Sequence, residues 1–252
     1  MGRGFEIRRQ KILDYLHTHS EVKIPQLVAL TGAAVATVHR DLLLMESQNE
    51  LVRMHGGVRA VDQPSLVERT FEQRSKQHSQ EKLAIAAAAA RLVVPGMTIV
   101  IDSGTTCWNL ATLLKGKGPL RVITSALAVI ESLGSVKDIE IHVVSGRFRV
   151  DNLDFYGALS VDTFRQFHAD LAFLGCDGLL PQKGAFSHDA ESAAISHAMA
   201  ECAAHSVLLC DSSKIGKGSS FQVLSPKQIS TIITDKANPV LTKVGYKVIV
   251  AE

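Results

Sequence analysis

No stretch of this chain reaches about 18 uninterrupted apolar residues, the length a membrane-spanning helix needs. The most apolar segment, LAIAAAAARLVV from Leu83 to Val94, is too short and carries Arg91. The opening MGRGFEIRRQ is charged and holds no apolar core of the kind a secretory signal requires. No membrane partner and a cytoplasmic location are the expectation. Cysteine is scarce and scattered: Cys107, Cys176, Cys202 and Cys210 form no C-x-x-C pair and have no histidine-rich partner motif. That spacing implies neither a zinc site nor a disulfide framework, so buried, reduced thiols are expected, with no metal and no cofactor.

Charge of one sign is also lacking, since the net charge is only +2, yet its distribution is uneven. Residues 1–60 hold eight basic side chains (Arg3, Arg8, Arg9, Lys11, Lys23, Arg40, Arg53, Arg59) against six acidic ones, while the remainder balances at 19 against 19. A mildly basic head with four histidines hints at a polyanion partner. With 252 residues, 46% hydrophobic and 21% charged, the chain has enough material for an ordinary core plus a small module.

The small module is legible at the N-terminus. Helical periodicity predicts one helix from Phe5 to His19, with Phe5, Ile12, Leu13 and Leu16 on one side, and a second from Pro25 to Thr31-Gly32. A third runs from Val35 to Ser47, with Val35, Val38, Leu42 and Met45 on one face. At 100° per residue Thr37 and Arg40 point away from that face and His39 lies at its flank. Two helices joined by a four-residue turn containing Gly32, the second offering Thr, His and Arg outward, form the layout of a helix-turn-helix reader. ELVRMHGGVRAV then reads as a strand pair with a Gly-Gly turn, a β-wing. Three-helix bundles without a DNA role share the same periodicity.

ATVHRDLLLMESQNELVRMHGGV, Ala36 to Val58, resembles the winged helix-turn-helix signature of the DeoR family of bacterial sugar-metabolism repressors, usually T-I-R-R-D-L followed by R-x-H-G-G. Thr37, Arg40, Asp41, Leu42, Arg53, His55, Gly56 and Gly57 match it. The resemblance implies a double-stranded DNA operator as partner, with Thr37, His39 and Arg40 at the major groove and Arg53 and His55 at backbone or minor groove. Two positions depart from the pattern: Ala34 replaces the usual small cap residue, a loss typically of about 1 kcal/mol, and His39 replaces the first arginine. Histidine cannot reproduce arginine's bidentate grip, so a different target sequence or affinity is expected.

After a polar linker, residues 61–80, strands and helices alternate. Strands are expected at MTIVI, RVITS, IEIHVV, DLAFLG, SVLLC and TIITD, and helices at residues 81–93, 107–114, 127–133, 157–167 and 191–203. Such alternation predicts an α/β domain over 81–252, a Rossmann-like, largely parallel sheet covered on both faces. Ligands of such sheets bind where loops leave the carboxyl ends of the strands. Those loops carry Asp102, Ser103, Gly104, Thr105 and Thr106, then Thr124, Arg149, Asp177 and Lys214. Strand, Gly/Ser/Thr loop and helix start in VIDSGTTCWNL suit an anion, although such a loop can equally do no more than cap its helix. Asp177 and Glu191 can accept hydrogen bonds from sugar hydroxyls, or be a turn residue and a favourable helix-start acid.

IDSGTT, DLAFLGCDG, GAFSHDAESAAISHAMA and LLCDSSKIGK resemble the effector-binding domain of the same family, whose members respond to phosphorylated sugars or related metabolites. Carried over by position, Ser103, Gly104, Thr105 and Thr106 hold phosphate, Lys214 and Arg149 add charge, and Asp177 and Glu191 face the sugar. The domain is similar in fold to ribose-5-phosphate isomerase, which raises an enzymatic alternative using Asp177, Lys183-Gly184 and Glu191. Against it, the isomerase's D-G-A-D meets LGCD, so its first aspartate falls on Leu174. A third alternative is an architectural DNA-bound protein with a vestigial pocket. The expectation is a non-enzymatic transcriptional regulator, a repressor of a carbohydrate-utilisation operon controlled by a phosphorylated sugar or related metabolite, acting as a homo-oligomer on paired half-sites.

Overall fold

The computed structural model describes residues 3–18, 21–47, 50–54, 56–60 and 71–251. These form two compact units, Met1–Val67 and Glu68–Glu252.

In the first unit the periodic apolar residues make three helices, α1 (Arg3–Thr18), α2 (Ile24–Thr31) and α3 (Val35–Ser47). Short strand β1 (Glu21–Lys23) precedes α2, and the wing strands β2 (Leu51–Met54) and β3 (Gly57–Ala60) follow α3. β3 lies between β1 and β2, antiparallel to both, so the wing is a three-stranded sheet and not a lone hairpin. Gly57 makes that third strand possible: a Cβ there meets the Val22 carbonyl oxygen at 2.6 Å. Phe5, Ile12, Leu16, Val22, Leu27, Val38, Leu42, Met45, Leu51 and Val58 close one core. Val35, expected on the buried face of α3, is 53% exposed. Its place in the stripe goes to Asp41, which is buried because Arg8 of α1 meets it at 2.6 Å. Arg9 makes a second clamp from α1, onto Glu50 just before the wing.

The second unit opens with α4 (Phe71–Lys76) and α5 (Ser79–Ala90), so residues 71–76 and 79–80, expected as linker, are helical. Then follow β4 (Thr98–Ile101), α6 (Thr105–Leu113), β5 (Leu120–Thr124), α7 (Leu127–Leu133) and β6 (Ile139–Val143). A hairpin of β7 (Arg147–Arg149) and β8 (Asp154–Tyr156) leads to α8 (Ala158–Phe164) and β9 (Ala169–Leu174). After β10 (Gly178–Leu180) and β11 (Gly184–Ser187) come α9 (Ala190–Glu201) and β12 (Ala203–Leu209). β13 (Phe221–Leu224), β14 (Thr231–Thr234), α10 (Pro239–Val244) and β15 (Val248–Val250) end the unit.

Seven strands form one parallel sheet in the order β15-β14-β12-β9-β4-β5-β6. Period-two alternation sends Ile99, Ile101, Val122, Phe173, Val207 and Leu209 to one face, against α5, α6 and α7. The other face takes Val100, Ile123, Ala172, Leu174 and Leu208, packed against α8 and α9. Each fully buried Leu, Ile or Phe contributes about 1.5–3 kcal/mol, and burial on both faces is why these strands read as nearly unbroken apolar runs. The small antiparallel sheet is assembled from β10 and β11, which follow β9, and from β13, which follows β12, while the β7-β8 hairpin follows β6. Three-residue strands such as β7, β8 and β10 are too short to announce themselves by periodicity.

Candidate functional site

Two sites emerge, one on each unit. On the first, α3 presents Arg40 exposed, with Thr37 and His39 half-exposed beside it. No hydrogen bond or ion pair engages Arg40 among the described residues, whereas Arg53 of β2 is tied to the helix twice. Its Nη2 lies 3.4 Å from His39 Nδ1, and its backbone N–H donates to Glu46 Oε1 at 3.3 Å. The fifth expected DNA contact, His55, lies outside the described residues.

On the second unit the carboxyl ends of β4, β9 and β12 converge. Asp102, the first residue beyond β4, is buried and acts as a three-way tether. Its Oδ1 accepts from Ser103 N at 2.7 Å, and its Oδ2 accepts from Gly175 N at 3.1 Å and Ser196 Oγ at 3.2 Å. Burial pushes its pKa up to about 6 despite those hydrogen bonds. Asp102 is thus the scaffold beneath the loop, with both oxygens occupied.

Gly104 then caps α6 at φ 116°, a conformation L side chains rarely adopt, and the helix starts at Thr105, two residues before the expected Cys107. The hydroxyls of Ser103, Thr105 and Thr106 make no hydrogen bond among the described residues. Beyond β12, Asp211 accepts from Ser213 N at 3.2 Å and pairs with Lys214, whose Nζ lies 3.7 Å from Asp211 Oδ2 and donates to the Cys176 carbonyl at 2.7 Å. Burial works to raise the Asp211 carboxyl, but Lys214, Ser213, His78 and Lys82 outweigh it and hold it below the usual range.

Lys82 completes this cluster, and nothing in the sequence periodicity singles it out. It sits on α5, only 5% exposed, donating to the Arg74 carbonyl. Burial, followed by the nearby Lys214 charge, pulls its pKa down to about 8. Lys214 is thus paired with Asp211, while Lys82 feels both of those charges without an ion pair of its own to Asp211 among the described residues. The legible signal was a lone lysine near the head of an alanine-rich helix whose buried face it shares with Ile85, Ala86 and Ala89.

Four expected ligand contacts are engaged by protein partners. Thr124 is fully buried, its hydroxyl donating to Ile101 O at 2.7 Å and accepting from Ala126 N at 3.1 Å, so it ties the end of β5 to β4. Arg149 donates to both oxygens of Asp154, to Asp189 and to Ser192 Oγ, and two carboxylates neutralise it. Glu191 is met by Arg147 at 2.7 Å, the two side chains 45% and 68% exposed, away from the lysine cluster's hydrogen bonds. Asp177 spends Oδ2 on Ser187 Oγ at 3.0 Å and His188 N at 2.9 Å, fixing the turn into α9. Both Arg147 and Arg149 stack on Tyr156, at 4.7 and 4.9 Å from the ring centroid.

All four cysteines are buried. Among the described residues no single helix is long and apolar enough to cross a membrane.

Residues 8–64 match the DeoR-like helix-turn-helix domain, and residues 77–236 match the DeoR C terminal sensor domain. A protein of Escherichia coli O157:H7, whose name makes it a candidate repressor of the aga operon, is 30% identical over 98% of this chain and 94% of its own length. The transcriptional repressor GlcR of Bacillus subtilis is 28% identical over 92% of this chain and 88% of its own. Among solved structures, ribose 5-phosphate isomerase A of Methanocaldococcus jannaschii aligns over 55% of each chain at 17% identity, with a TM-score of 0.42. With the reading head and the sensor domain both matched, and a relative alike along nearly its whole length, the chain belongs to the DeoR family of DNA-binding transcriptional regulators.

Proposed function

We propose that this regulator represses a carbohydrate-utilisation operon and releases its operator when a phosphorylated sugar binds at the ends of β4, β9 and β12. The observation that carries this reading is a loop with hydroxyls unengaged among the described residues, beside two buried or part-buried lysines. The hydroxyls of Ser103, Thr105 and Thr106 stand at the N-terminus of α6, Lys214 pairs with Asp211, and the buried Lys82 lies in the field of both charges. A phosphate supplies the acceptors and the negative charge that this arrangement lacks. Asp102 holds the loop in place, and Asp177 shapes the neighbouring turn.

On the DNA side, Thr37, His39 and Arg40 approach the major groove, with Arg53 and His55 on the wing. The working form is a homo-oligomer in the cytoplasm, since one reading head covers only one half-site. Release requires the ligand to bind the low-affinity state preferentially, and a coupling of about 1–3 kcal/mol is the usual scale.

The family assignment favours this reading over an isomerase, as does Leu174, a buried core residue where the enzymatic pattern places an aspartate. The test is operator release by a pool of sugar phosphates in Lys82→Met, Lys214→Ala and Thr105→Ala. Loss of release with operator affinity retained supports the site; intact release in all three removes it.

A further inference from the structure

We infer that His39 and Arg53 read the operator as one donor unit built from helix and wing together. This inference rests on the reading of α3 as the DNA-contacting helix. The unit starts from an asymmetry in donors and acceptors: guanidinium N–H groups only donate, so in the 3.4 Å contact between Arg53 Nη2 and His39 Nδ1 the histidine nitrogen is the acceptor. Its ring proton therefore resides on Nε2, and the tautomer is set by the wing.

An arginine at position 39, which the family signature usually has, offers no acceptor and sets two cations side by side. Histidine converts that repulsion into a link. The link is reinforced beneath by the Arg53 backbone N–H, which donates to Glu46 Oε1 at 3.3 Å, so the strand carrying Arg53 is fixed to α3 at two points. Arg40, one residue along the helix, is exposed and has no such tether among the described residues.

The pair then presents donors only: His39 Nε2–H and the remaining guanidinium N–H groups of Arg53. A major-groove edge with two adjacent acceptors, O6 and N7, belongs to guanine. A single arginine normally grips that edge with its own fork; here the grip is divided between two residues. Arg53 is accordingly a sequence-reading residue, and not a wing cation limited to backbone or minor groove.

The experiment is selection from a randomised duplex library by the full-length protein, followed by affinity measurement on the selected duplex. The proteins are wild type, His39→Ala, Arg53→Ala, the double variant and His39→Arg, each checked for an unchanged melting profile. Wild type is expected to select guanine at one position of the half-site. Each single alanine variant loses that preference at that position and about 5- to 150-fold in affinity. The double variant falls within about twofold of the worse single, because one unit can be lost only once. His39→Arg still binds DNA but selects a different base there. Single losses that multiply in the double variant, or preferences lost at two different positions, overturn the unit while leaving the DNA-reading head intact. A wild type that selects no sequence overturns the head's reading and the unit with it.

Discussion

Arg149 Nη1 lies 2.7 Å from Asp189 Oδ2, joining the β7-β8 hairpin to the N-cap of α9. Asp189 in turn caps that helix, accepting from Ser192 N at 2.8 Å, while Arg149 also grips Asp154 with two N–H groups at 3.0 and 2.9 Å. One guanidinium therefore fixes the hairpin to itself and to the helix. Breaking such a largely buried pair by removing one partner costs about 3–5 kcal/mol, because the carboxylates are left without their counter-charge. Arg149→Ala is expected to lower the melting temperature of the sensor unit markedly, and Arg149→Lys to restore little of it, since an ammonium cannot serve both carboxylates in a fork. An unchanged melt with a lost effector response contradicts this assignment and returns Arg149 to the ligand.

Lys82 is expected to make the proposed anion response pH-dependent. Its pKa in the folded chain is lowered to about 8 from 10.5, so the charged amine is disfavoured in the fold, and that penalty is relieved as pH rises from about 8 towards 10.5. A bound phosphate restores the proton. Effector affinity is therefore expected to fall as pH rises through about 8, where the phosphate's own ionisation, near pH 6, is complete. Titration calorimetry in buffers of different ionisation enthalpy, at pH 7 and pH 9, measures the proton uptake. Lys82→Met removes it; an uptake that survives in that variant excludes Lys82.

The buried Asp102 acts with the opposite sign from a salt-bridged carboxylate. Its folded pKa of about 6 lies above the ordinary 3.8, so the native state binds more protons between those values and stability falls as pH rises through that window. The effect amounts to a few kcal/mol at most. Asp102→Asn leaves one of the three donors facing an amide N–H, at a cost of about 1–3 kcal/mol, and removes the pH term. Urea unfolding at pH 4.5, 5.5 and 6.5 is expected to show a difference between variant and wild type that narrows as pH rises. A constant difference contradicts the buried-carboxyl account.

Gly57 fixes the wing by close approach, since a Cβ there meets the Val22 carbonyl oxygen at 2.6 Å. Gly57→Ala must push β3 away from β1 or distort the turn. A loss of operator affinity is expected, with the sensor unit's effector binding unchanged. Full operator affinity in this variant contradicts the need for a third strand.

Much of this was legible in the sequence, and what escaped it did so for physical reasons. The apolar strands and their helices stand out because both faces of the sheet are buried, and the Thr37 to Gly57 signature carries the reading head. Asp41 escaped because an aspartate in a helical stripe reads as a break in the apolar face; only the partner Arg8, 33 residues away, makes its burial tolerable. Thr124 does end β5 and Arg149 sits on the hairpin that follows β6, yet position does not disclose whether a polar group is already spent on a protein partner. Lys82 lay outside the strand-end rule altogether, being delivered by a helix that precedes the sheet.

The most direct test of the central claim is a pull-down of fragmented genomic DNA with the purified full-length protein, sequenced with and without a pool of sugar phosphates. A small set of enriched promoters that is lost on adding the pool is the predicted result, and genes beside them concerned with carbohydrate use identify the sugar. Diffuse, salt-sensitive retention that the pool leaves unchanged contradicts a metabolite-controlled repressor.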